Sequence, residues 1–126
     1  MFLLLAVVGA AAVAACGASA GSSTPIVFGL TGGNAVPYRV TIQPDGSVRA
    51  TQGWSVRKRI LPRQVRRLRS EIRNAHLTSR LCPGFLPDFA TNYIRLDGRT
   101  VRVHGQCEQR FTRVYDDLLA AVKLRP

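Results

Sequence analysis

Two turn signals, Pro44-Asp45-Gly46 and Asp97-Gly98, each sit inside an alternating apolar stretch, and each is followed by an amphipathic helical pattern. This double hairpin-then-helix pattern narrows the fold more than any other feature of the chain. Before the first turn, Tyr38, Val40 and Ile42 alternate with Arg39, Thr41 and Gln43; after it, Ser47 to Thr51 returns with Val48 and Ala50 on one side. A period of two marks a half-buried strand. Around the second turn, Thr91–Leu96 and Arg99–Val103 pair so that Ile94 faces Val101, while Tyr93 faces Arg102 on the other side of the sheet.

The helical patterns are equally direct. Pro62 opens the first helix at a position that needs no backbone N–H donor. Val65, Leu68, Ile72 and Ala75 recur at helical spacing, and the spacing assigns Arg63, Arg66, Arg67, Arg69 and Arg73 to the opposite face. That helix is expected to end near His76. In the last stretch Phe111, Val114, Tyr115, Leu118, Leu119 and Val122 form the longest apolar stripe of the chain. Ile26–Leu30 reads as an opening strand closed by Thr31-Gly32-Gly33-Asn34, and Leu77–Asp88 reads as a loop because it holds Cys82-Pro83-Gly84 and Pro87. Residues 52–59 carry no clear period; Trp54 is expected to lid the core.

The predicted fold class is therefore α+β, a two-layer antiparallel sheet of about five strands with both helices on one face, in the order β-ββ-α-ββ-α. Each half reads ββα, a weak internal repeat.

The first residues, 1–15, read MFLLLAVVGAAAVAA, without a charge. As a helix this run would reach roughly 22 Å, short of the ~30 Å hydrocarbon core, so it reads as a secretory signal rather than a membrane span. Val13-Ala14-Ala15-Cys16-Gly17 resembles the lipobox of bacterial lipoproteins: an aliphatic residue, two small residues and a cysteine. The resemblance implies a diacylglyceryl group on the Cys16 thiol and cleavage just before it, the two small residues admitting the backbone to the peptidase. Two acyl chains suffice for stable anchoring. One feature departs from the pattern, since no Lys or Arg precedes the apolar run. Residues 16–25 are rich in Gly, Ala and Ser and read as a flexible tether, leaving 26–126 as one small domain. The expected location is the cell membrane, lipid-anchored and facing outside the cytoplasm.

With Cys16 committed to lipid, Cys82 and Cys107 form an even pair in an exported chain, where disulfides persist. Closing a loop of roughly 25 residues stabilises a small domain by about 3.5 kcal/mol on the chain-entropy model. The alternative, a metal site using His76 and His104, lacks the paired close spacings of zinc ligands. No metal and no cofactor is expected.

Lys and Arg total 18 against 7 Asp and Glu, a net charge of +11. No charged residue precedes Arg39, and Lys occurs only at Lys58 and Lys123. An Arg preference of this kind follows from codon bias in a GC-rich genome; it also suits an anionic partner. The face formed by Arg63, Arg66, Arg67, Arg69 and Arg73 is the candidate anion site, for anionic lipid headgroups or a wall polymer. Nucleic acid is not expected, because aromatic stacking residues do not interleave with the arginines. Nor does any catalytic motif occur. There is no phosphate loop or nucleophile elbow; Asp116 and Asp117 diverge by about 100° on their helix; His76 and His104 lack nucleophile partners. The chain is not expected to be an enzyme.

An opening strand running into Gly32-Gly33, an Asp-Gly hairpin, the Leu-Pro-x-x-Val-x-x-Leu helix start from Leu61 to Leu68, Pro87-Asp88 before a strand with Tyr93, and a closing helix recur together over residues 26–122. In this combination the domain resembles small exported bacterial modules that include the emfourin-type inhibitors of metallopeptidases. The resemblance implies a non-catalytic protein-binding module directed at an envelope or extracellular protein, with a peptidase as the candidate target. The cysteine pair and the lipid anchor are additions to that pattern. No inhibitory residue carries over, because none matches a specific motif.

Overall fold

The structure, a computed structural model, describes residues 24–84 and 88–126. The signal-peptide reading of 1–15, Cys16 and most of the tether lie outside the described residues. The elements are β1 (Ile26–Thr31), β2 (Tyr38–Ile42), β3 (Val48–Ala50), α1 (Pro62–Asn74), β4 (Arg80–Leu81), β5 (Thr91–Leu96), β6 (Arg99–His104) and α2 (Gln109–Val122). They form one six-stranded sheet in the order β3-β2-β1-β5-β6-β4.

The fold is α+β, but the sheet is mixed and larger than the expected five antiparallel strands. The additional strand is β4, inside the stretch that reads as a loop. It runs parallel to β6, with Arg80 opposite Val103 and Leu81 opposite His104. Two exposed residues have no periodicity to display, so nothing local announces them. Their pairing comes from the neighbourhood: the Cys82 N–H donates to the His104 carbonyl at 2.9 Å, and Cys82 is joined to Cys107 just beyond β6.

The hairpins follow the alternation. Ile94 pairs with Val101 and Tyr93 with Arg102. At the first turn, the Asp45 carboxylate accepts from the Ser47 N–H at 2.9 Å and the Ser47 hydroxyl at 2.8 Å, bonds that hold its pKa below the usual carboxylate value. The sheet halves meet through β1, which pairs with β2 on one side and β5 on the other. Residues 55–57, unreadable by period, run along the C-terminal segment, while Lys58 and Arg59 turn to the first hairpin, where the Lys58 carbonyl accepts from the Val48 N–H at 2.9 Å and Arg59 pairs with Ser47. Ser55 and Arg125 exchange two backbone bonds of 2.9 Å, and the Arg57 N–H donates to the Val122 carbonyl at 2.8 Å.

One sheet face meets both helices. Phe28, Val40, Ile42, Ile94 and Val103 share a core with Val65 and Leu68 of α1 and with Phe111, Leu118 and Val122 of α2. Each such side chain contributes about 1.5–3 kcal/mol by leaving water. Tyr115 stacks with Phe111 at 5.7 Å and meets Phe28 edge-on at 5.6 Å. Trp54 is half-buried with its ring 4.9 Å from Tyr38, a lid at the end of this aromatic row.

Candidate functional site

With both helices on one side, the opposite sheet face is uncovered, and strand alternation decides what it displays. One cross-strand row runs Arg39, Gly29, Tyr93, Arg102; the next runs Arg49, Thr41, Val27, Arg95, Thr100. Arg39, Arg49, Arg95 and Arg102 are all exposed. None has a carboxylate within ion-pair distance among the described residues, where the ion pairs end on Asp97. The rows enclose a hollow of about 330 Å³ whose lining includes Arg39, Thr41, Tyr93, Arg95, Thr100 and Arg102.

Gly29 lets Tyr93 lie close over the sheet. A Cβ there would lie 2.8 Å from the Tyr93 hydroxyl and would collide with the Tyr38 carbonyl oxygen. Without it, the Tyr93 ring lies close over the strand, and its hydroxyl accepts a long 3.4 Å bond from Arg39 Nε.

At one end of this face two loops are fastened together. The Asn34 N–H donates to the Asp88 carbonyl at 3.0 Å. Gly33 (φ 62) packs so closely against residues 88–90 that a Cβ would meet the Ala90 nitrogen at 2.7 Å. The joined loops display Val36, 70% exposed, and Phe89, 51% exposed. Neither shows in a periodicity scan, because both lie between elements; adjacency of the loops is a tertiary fact.

The arginines of α1 are not equivalent. Arg63, Arg66 and Arg67 are exposed as expected. Arg69 is not on the outer face: it is 6% exposed, with Nη1 3.9 Å from Asp97 Oδ1 and both terminal nitrogens without a hydrogen-bond partner. At 100° per residue Arg69 lies about 40° from Val65, inside the buried arc, so its guanidinium reaches along the core edge. Burial pulls its pKa down, against the upward effect of Asp97. Arg73 is exposed but engaged, donating to Asp97 Oδ2 from Nη2 at 2.8 Å and Nε at 3.0 Å. The five-arginine face thus reduces to Arg63, Arg66 and Arg67, and the charge of Arg67 acts on Glu71 one turn along the helix.

Cys82 and Cys107 are joined with Cα atoms 5.6 Å apart, and the Cys107 N–H lies 3.1 Å from Cys82 Sγ. His76 is exposed just past α1, at φ 47, and its N–H donates to the Arg73 carbonyl at 3.3 Å. His104 Nδ1 is 3.2 Å from the Thr91 hydroxyl. Among the described residues no three potential metal ligands cluster. One acidic pair escapes the sequence: Glu71 of α1 lies against Asp117 of α2, and burial together with that carboxyl neighbour pushes Glu71 up to about 7. Asp117 itself remains exposed on α2.

No protein-family profile matches the chain, and comparisons with curated proteins and with solved structures find no significant match. Among the described residues no helix is long and apolar enough to cross a membrane.

Proposed function

We propose that this chain is an exported lipoprotein, anchored through Cys16 and facing outside the cytoplasm, whose domain is a non-catalytic module that binds another envelope or extracellular protein. A metallopeptidase is the candidate target. The observation that carries the binding reading is the fastened loop pair. Large apolar side chains held in water on loops that are tied to each other are costly unless a partner covers them. Val36, 70% exposed, is such a side chain; Phe89 is half-exposed, and the Asn34–Asp88 bond joins the two segments that carry them. Preorganised loops lose little entropy on docking, which suits an inhibitor.

The test is co-purification of the full chain from membranes, beside a Val36→Asp/Phe89→Asp variant, with assay of exported metallopeptidases. A stoichiometric partner that survives high salt and is lost in the variant supports the reading. A partner retained by the variant overturns the loop assignment. Intact mass spectrometry addresses the anchor: a mature chain starting at diacylated Cys16 is expected, and a chain that keeps residues 1–15 overturns it.

A second reading is attachment to anionic lipid or a wall polymer through α1, favoured by the exposed Arg63, Arg66 and Arg67. It predicts binding that falls steeply with salt and disappears when those three charges are reversed.

A further inference from the structure

We propose that the uncovered sheet face holds a binding site for a phosphate ester, gripped by Arg39, Arg95 and Arg102 over a floor containing Thr41 and Thr100. The site requires no protein partner and lies on the face opposite α1, so it goes beyond both readings above.

Size and charge come first. The hollow of about 330 Å³ falls in the range of small-molecule sites. Three guanidinium groups line it, and no carboxylate of the described residues pairs with them. Arginines gathered in one hollow repel one another unless an anion joins them. The outward positions of β1, β5 and β6 carry no acid: they are Thr, Arg, Tyr, Val and Gly, with His104 at the end of β6.

Geometry then selects the anion. The three arginines belong to different strands, Arg39 to β2, Arg95 to β5 and Arg102 to β6. Their backbones therefore stand on different sides of the hollow that all three line. A planar carboxylate is filled by one bidentate arginine, whereas a tetrahedral phosphate offers acceptor oxygens in several directions. The Thr41 and Thr100 hydroxyls can donate from below to the remaining oxygens. Tyr93, lying close over Gly29, and Val27 provide a partly apolar bed for the organic half of the ester. The hollow on α1 is a poorer competitor: Leu61, Arg63, Gln64 and Arg67 line it, with no hydroxyl donor.

A phosphate ester could be a free metabolite or a phospholipid headgroup, and the experiment separates these sources. The full chain in a non-ionic detergent is titrated calorimetrically with sn-glycerol 3-phosphate and, in parallel, with succinate. It is also sedimented with phosphatidylglycerol or phosphatidylcholine vesicles. Three variants are compared: Arg39→Gln/Arg95→Gln/Arg102→Gln, Thr41→Val/Thr100→Val, and Arg63→Gln/Arg66→Gln/Arg67→Gln. Either glycerol phosphate or phosphatidylglycerol should bind, the first identifying a free ester and the second alone a headgroup. The sheet-arginine variant should lose about tenfold or more in affinity, the threonine variant several-fold, and the helix variant nothing. If the arginine variant does not fold, the near-isosteric threonine variant decides. Absence of binding to both ligands, succinate bound as tightly as the phosphate, or loss confined to the helix variant overturns the proposal.

Discussion

The hydroxyls of Tyr38 on β2 and Tyr115 on α2 lie 2.6 Å apart, a polar contact joining the sheet to the last helix inside an aromatic cluster. Tyr115 is buried, while Tyr38 is half-buried. Burial, followed by the bond to Tyr38, raises the Tyr115 pKa well above that of a free phenol. Tyr38→Phe would leave the deeper hydroxyl without its partner and should cost about 1–3 kcal/mol. Tyr115→Phe should cost less, because the Tyr38 hydroxyl can turn to water. The double variant should lie close to wild type. Urea unfolding of all four proteins gives the coupling energy directly, and strictly additive losses would show that the hydroxyls act independently.

Asp97 joins three parts of the molecule. Its carboxylate accepts from the Thr24 hydroxyl at 2.8 Å and from Arg73, and it is the counter-charge nearest buried Arg69. Asp97→Asn keeps a residue that tolerates the positive φ of 52 there while removing the charge. Stability should fall by about 2 kcal/mol, less than for a fully buried pair because the Asp97 side chain is 40% exposed. Arg69→Met should be neutral or stabilising, since it removes an ion whose terminal nitrogens lack hydrogen-bond partners. Equal destabilisation by both changes would contradict this account.

Glu71 should make stability depend on pH. Its folded pKa of about 7 lies above the ordinary 4.5. The folded state therefore holds a proton through a range where the unfolded state has released it. The stabilising effect of that proton is complete below about pH 4.5 and is lost as pH rises through about 7. The wild-type Tm should fall across this interval, and Glu71→Gln should remove that part of the slope. A slope unchanged in the variant would assign the dependence to other groups.

The Cys82–Cys107 bridge closes 25 residues that include β5, β6 and their turn. Cys82→Ser/Cys107→Ser should lose about 3.5 kcal/mol by loop-closure entropy. Hydrogen exchange should localise the first opening to β4, whose two-residue parallel pairing lies beside the bridge. Uniform loss of protection across the sheet would instead mean that β4 belongs to the cooperative core.

The outward row of Tyr93 and Arg102 was legible in the sequence, because the Asp97-Gly98 turn sets the register and alternation follows. Its extension to Arg39, Arg49 and Arg95 was not. That required β1 to lie between β2 and β5, a pairing across long sequence separation that no local period encodes. Arg69 shows the opposite case. Its angle on the helix was available from the spacing alone, and its charge suggested a solvent face that its position denies.

The sequence by itself determined the local elements: two hairpins, two amphipathic helices and the α+β class, since these follow from periods of two and 3.6 residues and from turn chemistry. Tertiary structure decided what distant segments share. It added β4 beside β6, laid 55–57 along the C-terminal segment, brought Glu71 to Asp117 and fastened the Val36 and Phe89 loops together. It also determined which arginines remain available. Asp97 engages Arg73 and pairs with Arg69, whereas the sheet arginines meet no acid among the described residues. Such pairings depend on distances through space, and a chain's local pattern carries no record of them.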